Sequence, residues 1–307
     1  MAAVYKKPLL ISSCGGAGAY PFLMGAMCRL FNLAKQQGYK SQEINLAGVS
    51  AGCIPALALR MGYDTPQKMR ELIQNFLTKY PDMDGQPPSA EQLFNNWREF
   101  ILSLISPNDR WKQCNHKLFI GISVWDSESS AIEPKIISEW TSAEDLADTI
   151  LTSCHLVLLG LSFARQFRGQ LAADGGITQR YVVLPNMLTI PVCYDAVYSQ
   201  MSWDDFRIDL SLKKFDRLFE AGQQFINMHE NDYTTLLVKG KHTNPKLHVN
   251  PSSWVPRIST TRLLIVVAII LVIISFIAYY LWRRRKQNQQ VQESQFIGED
   301  FFSSPYA

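Results

Sequence analysis

With 307 residues, 47% of them hydrophobic, the chain is long enough for one α/β domain with a sizeable core plus accessory segments. A formal charge of +3 is too slight to argue for nucleic acid, and no Lys/Arg stripe with interleaved aromatics occurs. The cysteines at 14, 28, 53, 114, 154 and 193 have no C-x-x-C spacing, which speaks against both a zinc site and a disulfide framework.

In chain order, residues 1–7 lack the apolar stretch of a signal peptide. The apolar run 8–13 then reads as a buried strand. It hands over to Cys14-Gly15-Gly16-Ala17-Gly18-Ala19-Tyr20, a turn rich in unencumbered backbone N–H groups and expected to need positive φ at Gly16. A dinucleotide fingerprint does not fit, because G-x-G-x-x-G counted from Gly16 puts Pro21 at the last position and no acid ends the second strand. A P-loop fails as well, since no Gly-Lys-Ser/Thr follows. Residues 20–37 read as helix, with apolar Phe22, Leu23, Ala26, Leu30, Leu33 and Ala34 at helical spacing.

A second strand, 44–48, leads into Gly48-Val49-Ser50-Ala51-Gly52. This is a G-x-S-x-G elbow, whose glycines permit a sharp turn that lifts the hydroxyl clear as a nucleophile. The bland alternative is Ser50 as the cap of a helix beginning near Ala51. Pro55 sits in that helix's first turn, where a missing N–H costs little. Residues 66–80 and 89–105 look like a helical insertion, 117–125 a third strand, and Ser142 with Asp145 a capping box. Ala172-Ala173-Asp174-Gly175-Gly176 reads as a tight turn presenting a carboxylate from a strand end. A strand at 190–197 and a helix at 211–228, striped by Leu212, Phe215, Phe219 and Phe225, complete the domain. A triad of Ser50, Asp174 and His229, His242 or His248 is permitted by order. Only one strand precedes the one that leads into Ser50, however, where an α/β-hydrolase builds several, and the two later histidines fall in a linker. His116 and His155 read as packing or surface residues.

The Gly-rich turn after the first strand, G-x-S-x-G after the second and D-G-G far downstream together resemble the patatin-like phospholipase family. Gly18-Ala19-Tyr20 and Ser153-Cys154, about twenty residues before Asp174, strengthen the match, which covers roughly residues 8–230. The resemblance implies a three-layer α/β/α sandwich with a mostly parallel central sheet. It implies a dyad in which Ser50 is the nucleophile and Asp174 its base, with backbone N–H groups of Gly15, Gly16 and Gly18 as the oxyanion cradle. Gly48, Gly52, Gly175 and Gly176 shape the turns. The substrate is then a glycerophospholipid or other acyl ester, and no metal or other cofactor is expected. The chain departs from the family pattern at Ala17 and Ala19, where Arg or Lys is usual, and at Thr178-Gln179-Arg180-Tyr181, where Asn and Pro are usual. A membrane-anchored binding or scaffolding protein on a retired patatin fold therefore stands as the alternative.

The catalytic domain is expected over 1–230 and a basic, Pro-containing linker over 231–262. Leu263 to Trp282 is uncharged with a single Ser, and twenty such residues at about 1.5 Å each cross a bilayer core. Tyr279, Tyr280 and Trp282 form an interfacial belt, and Arg283-Arg284-Arg285-Lys286 a basic stop. Residues 283–307 end as a polar tail. Without a signal peptide, and with Asn250-Pro251-Ser252 blocked by its proline, a tail anchor with a cytosolic catalytic domain is expected.

Overall fold

The computed structural model describes residues 8–81, 89–126, 128, 131–155, 162, 164–194, 201–207 and 210–239. The strands that the apolar runs foretold are the buried ones. Both β1 (Leu9–Ser13) and β2 (Ile44–Val49) are buried at every position, and β3 (Leu118–Asp126) over its first seven residues. The strand end expected at Asp174 is that of β6 (Gln170–Asp174), while two further strands were not foreseen: β4 (Ala131–Ile137) and β5 (Arg165–Phe167). They carry exposed residues such as Glu133 and Lys135, so they lack the near-continuous apolar run that marks a fully buried strand. The last strand, β7, is Leu188–Val192, shorter and earlier than the expected 190–197.

The strand order is β5-β6-β3-β2-β1-β7, with β4 also paired to β3. Strands β7, β1, β2 and β3 are mutually parallel. Every pairing of β4, β5 and β6 is antiparallel. The sheet is thus mixed, which corrects the expectation of a mostly parallel one: one half is parallel and the other is not.

Register puts Leu9, Ile11, Leu46, Leu118, Ile120, Ile190 and Val192 on one face. That face joins a single core with the helices α1 (Tyr20–Gln36), α2 (Cys53–Arg60), α3 (Pro66–Lys79), α4 (Ala90–Ile105) and α5 (Ala143–Ser153). After the short α6 (Trp203–Phe206), helices α7 (Leu212–Met228) and α8 (Glu230–Lys239) join the same core. The opposite face is covered differently. Leu10, Ala47, Val49 and Phe119 pack there against Val182, with Leu184 and Met187 at the margin. The Val182 N–H donates to Ser12 Oγ across 2.9 Å. Among the described residues, then, a third helical layer is replaced by an irregular segment.

The helix starts follow side-chain chemistry. Thr65, Ser89, Ser142 and Ser211 each accept a backbone N–H three residues on, satisfying donors a helix leaves orphaned. The reciprocal arm of the box at Ser142 is displaced by one residue, since Asp145 Oδ2 accepts from Thr141 N. In α7, Phe215, Phe219 and Phe225 are buried as expected, joined by Leu218, while Leu212 is only partly buried. This helix crosses α1 closely, where a Cβ at Gly25 would collide with the Phe219 carbonyl.

The boundary expected at residue 230 moves outward. The stretch 231–239 belongs to α8, which buries Tyr233, Leu236 and Leu237, and Tyr39 Oη donates to the Leu237 carbonyl at 3.2 Å. The basic character that made the linker recognisable begins only at Lys239, and the three apolar residues at helical spacing before it belong to the core. The expected span Leu263–Trp282, the remainder of the linker and the 283–307 tail lie outside the described residues. Among those described, no helix is long and apolar enough to cross a membrane.

Candidate active site

Ser50 follows directly on β2. Val49 is still extended, and Ser50 then turns to φ 53°. This left-handed conformation costs a residue with a side chain about 1–2 kcal/mol, so the surroundings must hold it, as strained residues at functional sites are held. A single 3-10 turn, Ser50–Gly52, leads into α2, so the helix proper starts at Cys53 rather than near Ala51. Gly15 stands against this elbow. A Cβ there would come within 2.8 Å of Ser50 Cβ and 3.3 Å of its Oγ, so only glycine allows the Gly-rich turn to approach the hydroxyl.

Asp174 ends β6, and pairing on β3 explains how it reaches Ser50 from 124 residues away. Residues 120–121 of β3 pair with both β2 and β4, and residues 122–124 pair with both β4 and β6. A strand has two edges, so β2 and β6 occupy the same one, end to end. Val49 sits opposite Gly121 and Asp174 opposite Ile122. The parallel strand and the antiparallel strand therefore run toward each other and deliver their C-terminal ends to one point.

There Ser50 Oγ donates to Asp174 Oδ2 at 2.6 Å, and the Gly176 N–H donates to Oδ1 at 2.7 Å. The Asp174 backbone is pinned as well, its N–H to the His155 carbonyl and its carbonyl to Ser123 Oγ at 2.8 Å. Ser50 is 5% exposed and Asp174 1%. Burial pushes the Asp174 carboxyl up from 3.8 to about 6, against the pull of its hydrogen bonds from Ser50 and Gly176.

The remaining motif residues gather around this contact. Gly52 lies against the Cys14 carbonyl, Gly48 against the Cys53 backbone, and Gly175 against Gly121. Gly18 faces the Arg207 carbonyl, and Gly16 the Tyr194 ring. The positive φ expected at Gly16 is not there: its φ is 179°, and Ala17 next to it carries φ 43°. The backbone N–H groups of Gly15, Gly16, Ala17 and Ala51 donate to no group among the described residues.

Ser153 is a site residue that motif spacing could not assign. Its Oγ accepts the Ser50 N–H at 2.8 Å and donates to the Gly121 carbonyl at 2.6 Å, bracing the strained elbow against β3. The only sequence signal was its place in Ser153-Cys154. No histidine ring among the described residues hydrogen-bonds the Ser50 or Asp174 side chain. The buried His155 ring meets the Ser162 carbonyl at 2.9 Å, His116 is exposed beside Glu139, and His229 lies beside Asp232. No group of residues able to hold a metal ion occurs among those described.

A cleft opens over Ser50. Its walls are apolar, built from Tyr20 on α1, Ile54 on α2, Phe94 and Trp97 on α4, and Ile150 and Leu151 on α5. The buried Tyr20 hydroxyl has no hydrogen-bond partner among the described residues.

No protein-family model matches this chain, and no curated protein sequence matches it. Solved structures similar to it include the following two. One is the crystal structure of VipD from Legionella pneumophila, 15% identical with a TM-score of 0.33, matched over 61% of this chain and 49% of that one. The other is the heterodimeric ExoU-SpcU complex from the type III secretion system of Pseudomonas aeruginosa, 14% identical with a TM-score of 0.36, matched over 75% and 52%. The chain spans about half the length of each.

Proposed function

We propose that this protein is a patatin-like lipid acyl hydrolase, of phospholipase A or lysophospholipase type, that cleaves fatty-acyl esters through Ser50 and Asp174. The observation that carries the reading is the 2.6 Å hydrogen bond from Ser50 Oγ to a buried carboxylate at the floor of an apolar cleft. In this scheme Asp174 takes the Ser50 proton as Oγ attacks the ester carbonyl. The backbone N–H groups of Gly15, Gly16 and Gly18, joined in this reading by those of Ala17 and Ala51, meet the developing oxyanion, each such donor contributing about 3 kcal/mol. Collapse of the tetrahedral intermediate expels the alcohol, which takes the proton from Asp174. Water, activated by the same carboxylate, then releases the fatty acid.

A carboxyl whose pKa lies near 6 suits this work. It is still ionised at neutral pH, yet a better base than an ordinary aspartate. The apolar cleft matches an acyl chain rather than a polar substrate, because unpaired polar groups are costly to bury. Residues 263–282 serve in this reading as a membrane anchor that holds the catalytic domain on the cytosolic side, at its substrate.

The test is labelling with a fluorophosphonate probe, followed by lipid profiling of products. Labelling of the wild type, its loss in Ser50→Ala, and release of free fatty acid from phospholipid vesicles are the expected results. A folded protein that neither labels nor releases fatty acid returns the chain to the scaffolding alternative. The anchor is tested separately. Removing residues 258–307 should turn a carbonate-resistant membrane protein into a soluble one, and a truncated chain that stayed membrane-integral would overturn it.

A further inference from the structure

The cleft over Ser50 has a second, smaller chamber behind it, lined by Leu57, Ala58, Leu72, Phe100 and Leu104. Ile54, Trp97, Ile101 and Ile150 line both chambers, so these four side chains form the wall between them. Among the described residues, no charged side chain lines either. Along the chain, the lining runs from Ser50 and Ala51 through Ile54 in the near chamber to Leu57 and Ala58 in the far one.

Trp97 is the bulkiest part of that wall, and its ring is held on several sides. It stacks on Phe76 with centroids 4.3 Å apart and planes at 19°. It meets Tyr20 edge-on at 5.9 Å and Phe100 edge-on at 6.0 Å. Tyr20 belongs to the near chamber and Phe100 to the far one. Aromatic contacts of this geometry add to simple burial, so the partition is a fixed wall rather than a side chain free to swing.

We infer that the near chamber holds the acyl chain of the ester attacked by Ser50, and that Trp97 sets the longest chain admitted by closing the far chamber. This rests on the hydrolase reading, and it makes Trp97 a specificity-determining residue. Each methylene that enters the near chamber strengthens binding about fourfold (about 0.8 kcal/mol). A chain too long for that chamber meets the Trp97 ring and gains nothing further.

The experiment is a kcat/KM series on p-nitrophenyl esters from butyrate to palmitate with the full-length protein. Alongside it, free fatty acids of the same lengths displace a fluorescent fatty acid from Ser50→Ala. In the wild type both curves should climb with chain length and then break. In Trp97→Ala the break should move to chains longer by about two methylenes or more. Adding Leu104→Phe to that variant, which refills the far chamber, should move it back. Trp97→Leu keeps an apolar side chain against Phe76 and carries the same test at smaller amplitude if the alanine variant does not fold. Folded variants whose break stays at the wild-type length overturn the gauge. Displacement that shows the break and its shift, without hydrolysis of any ester, supports the gauge and removes the hydrolase reading instead.

Discussion

Replacing Asp174 by Asn should stabilise this protein while disabling it, and pH should reveal why. Burial raises the Asp174 carboxyl from 3.8 to about 6, so the fold prefers the neutral acid. Linkage then gives the sign. The stabilisation from holding a proton is complete below the ordinary value and lost as pH rises through about 6. Roughly two units at 1.36 kcal/mol each make the ionised carboxylate cost about 3 kcal/mol of stability above pH 7. Asn is neutral throughout and escapes this loss. Its carbonyl can accept the Gly176 N–H, and its amide can donate to Ser50 Oγ, leaving only the Ser50 hydroxyl proton without its acceptor, at about 1 kcal/mol. The net gain at pH 8 is about 2 kcal/mol, or about 4–8 °C in Tm for a domain of this size, while hydrolysis falls about 10²–10⁴-fold. Denaturant unfolding followed by tryptophan fluorescence at pH 4, 6 and 8 measures it. In Asp64 and Asp205, burial is outweighed by hydrogen bonds from Lys68 and Lys35, and from Arg217. Their opposite pH dependence is common to both proteins and cancels in the difference. A stability difference that does not change between pH 4 and pH 8, or a variant weaker than wild type at pH 8, would refute the argument.

Ser50→Gly and Ser50→Ala should both abolish acyl transfer. The glycine variant should be the more stable by about 1 kcal/mol, because only it relieves the left-handed conformation; equal melting temperatures would mean the elbow stores no strain. The rate kcat/KM for ester hydrolysis should fall tenfold per pH unit below about 6, as Asp174 takes up its proton. A profile flat down to pH 4.5 would leave a different base in charge. Ser153→Ala strands the Ser50 N–H and the Gly121 carbonyl. It should cost about 1–3 kcal/mol and lower kcat more than it raises KM, since the nucleophile is mispositioned in a cleft that still binds. Unchanged kcat in the folded variant would make Ser153 purely structural.

Some of this was legible in residues alone, because it is written in local chemistry. The buried strands announce themselves as apolar runs, since a parallel strand covered on both faces has no water-facing side to mark with polar residues. The elbow at Ser50 is readable because a sharp turn between strand and helix needs small neighbours, and Asp174 because a carboxylate before two glycines is a turn. Helices were legible from their 3.6-residue periodicity and, at Ser142, from the cap. The strands β4 and β5 were hidden, and of β6 only the end at Asp174 was legible, because exposed, short or charged strands have no pattern distinct from loop. Residues 231–239 misled for the opposite reason: their basic flank resembles linker, and only packing of Tyr233, Leu236 and Leu237 makes them core.

Tertiary structure decided the site itself. No local signal states that β2 and β6 share one edge of β3 and meet end to end; that follows from which strands pair, and pairing depends on the whole core. The same pairing brings Ser153 under the elbow, where its hydroxyl bridges two strands' backbone groups. It also raises the Asp174 pKa, because desolvation belongs to the surroundings and not to the residue. Sequence could name a serine and an aspartate 124 positions apart. Only the fold could put them within a hydrogen bond, remove the water around them and wall the space above with the side chains of α4.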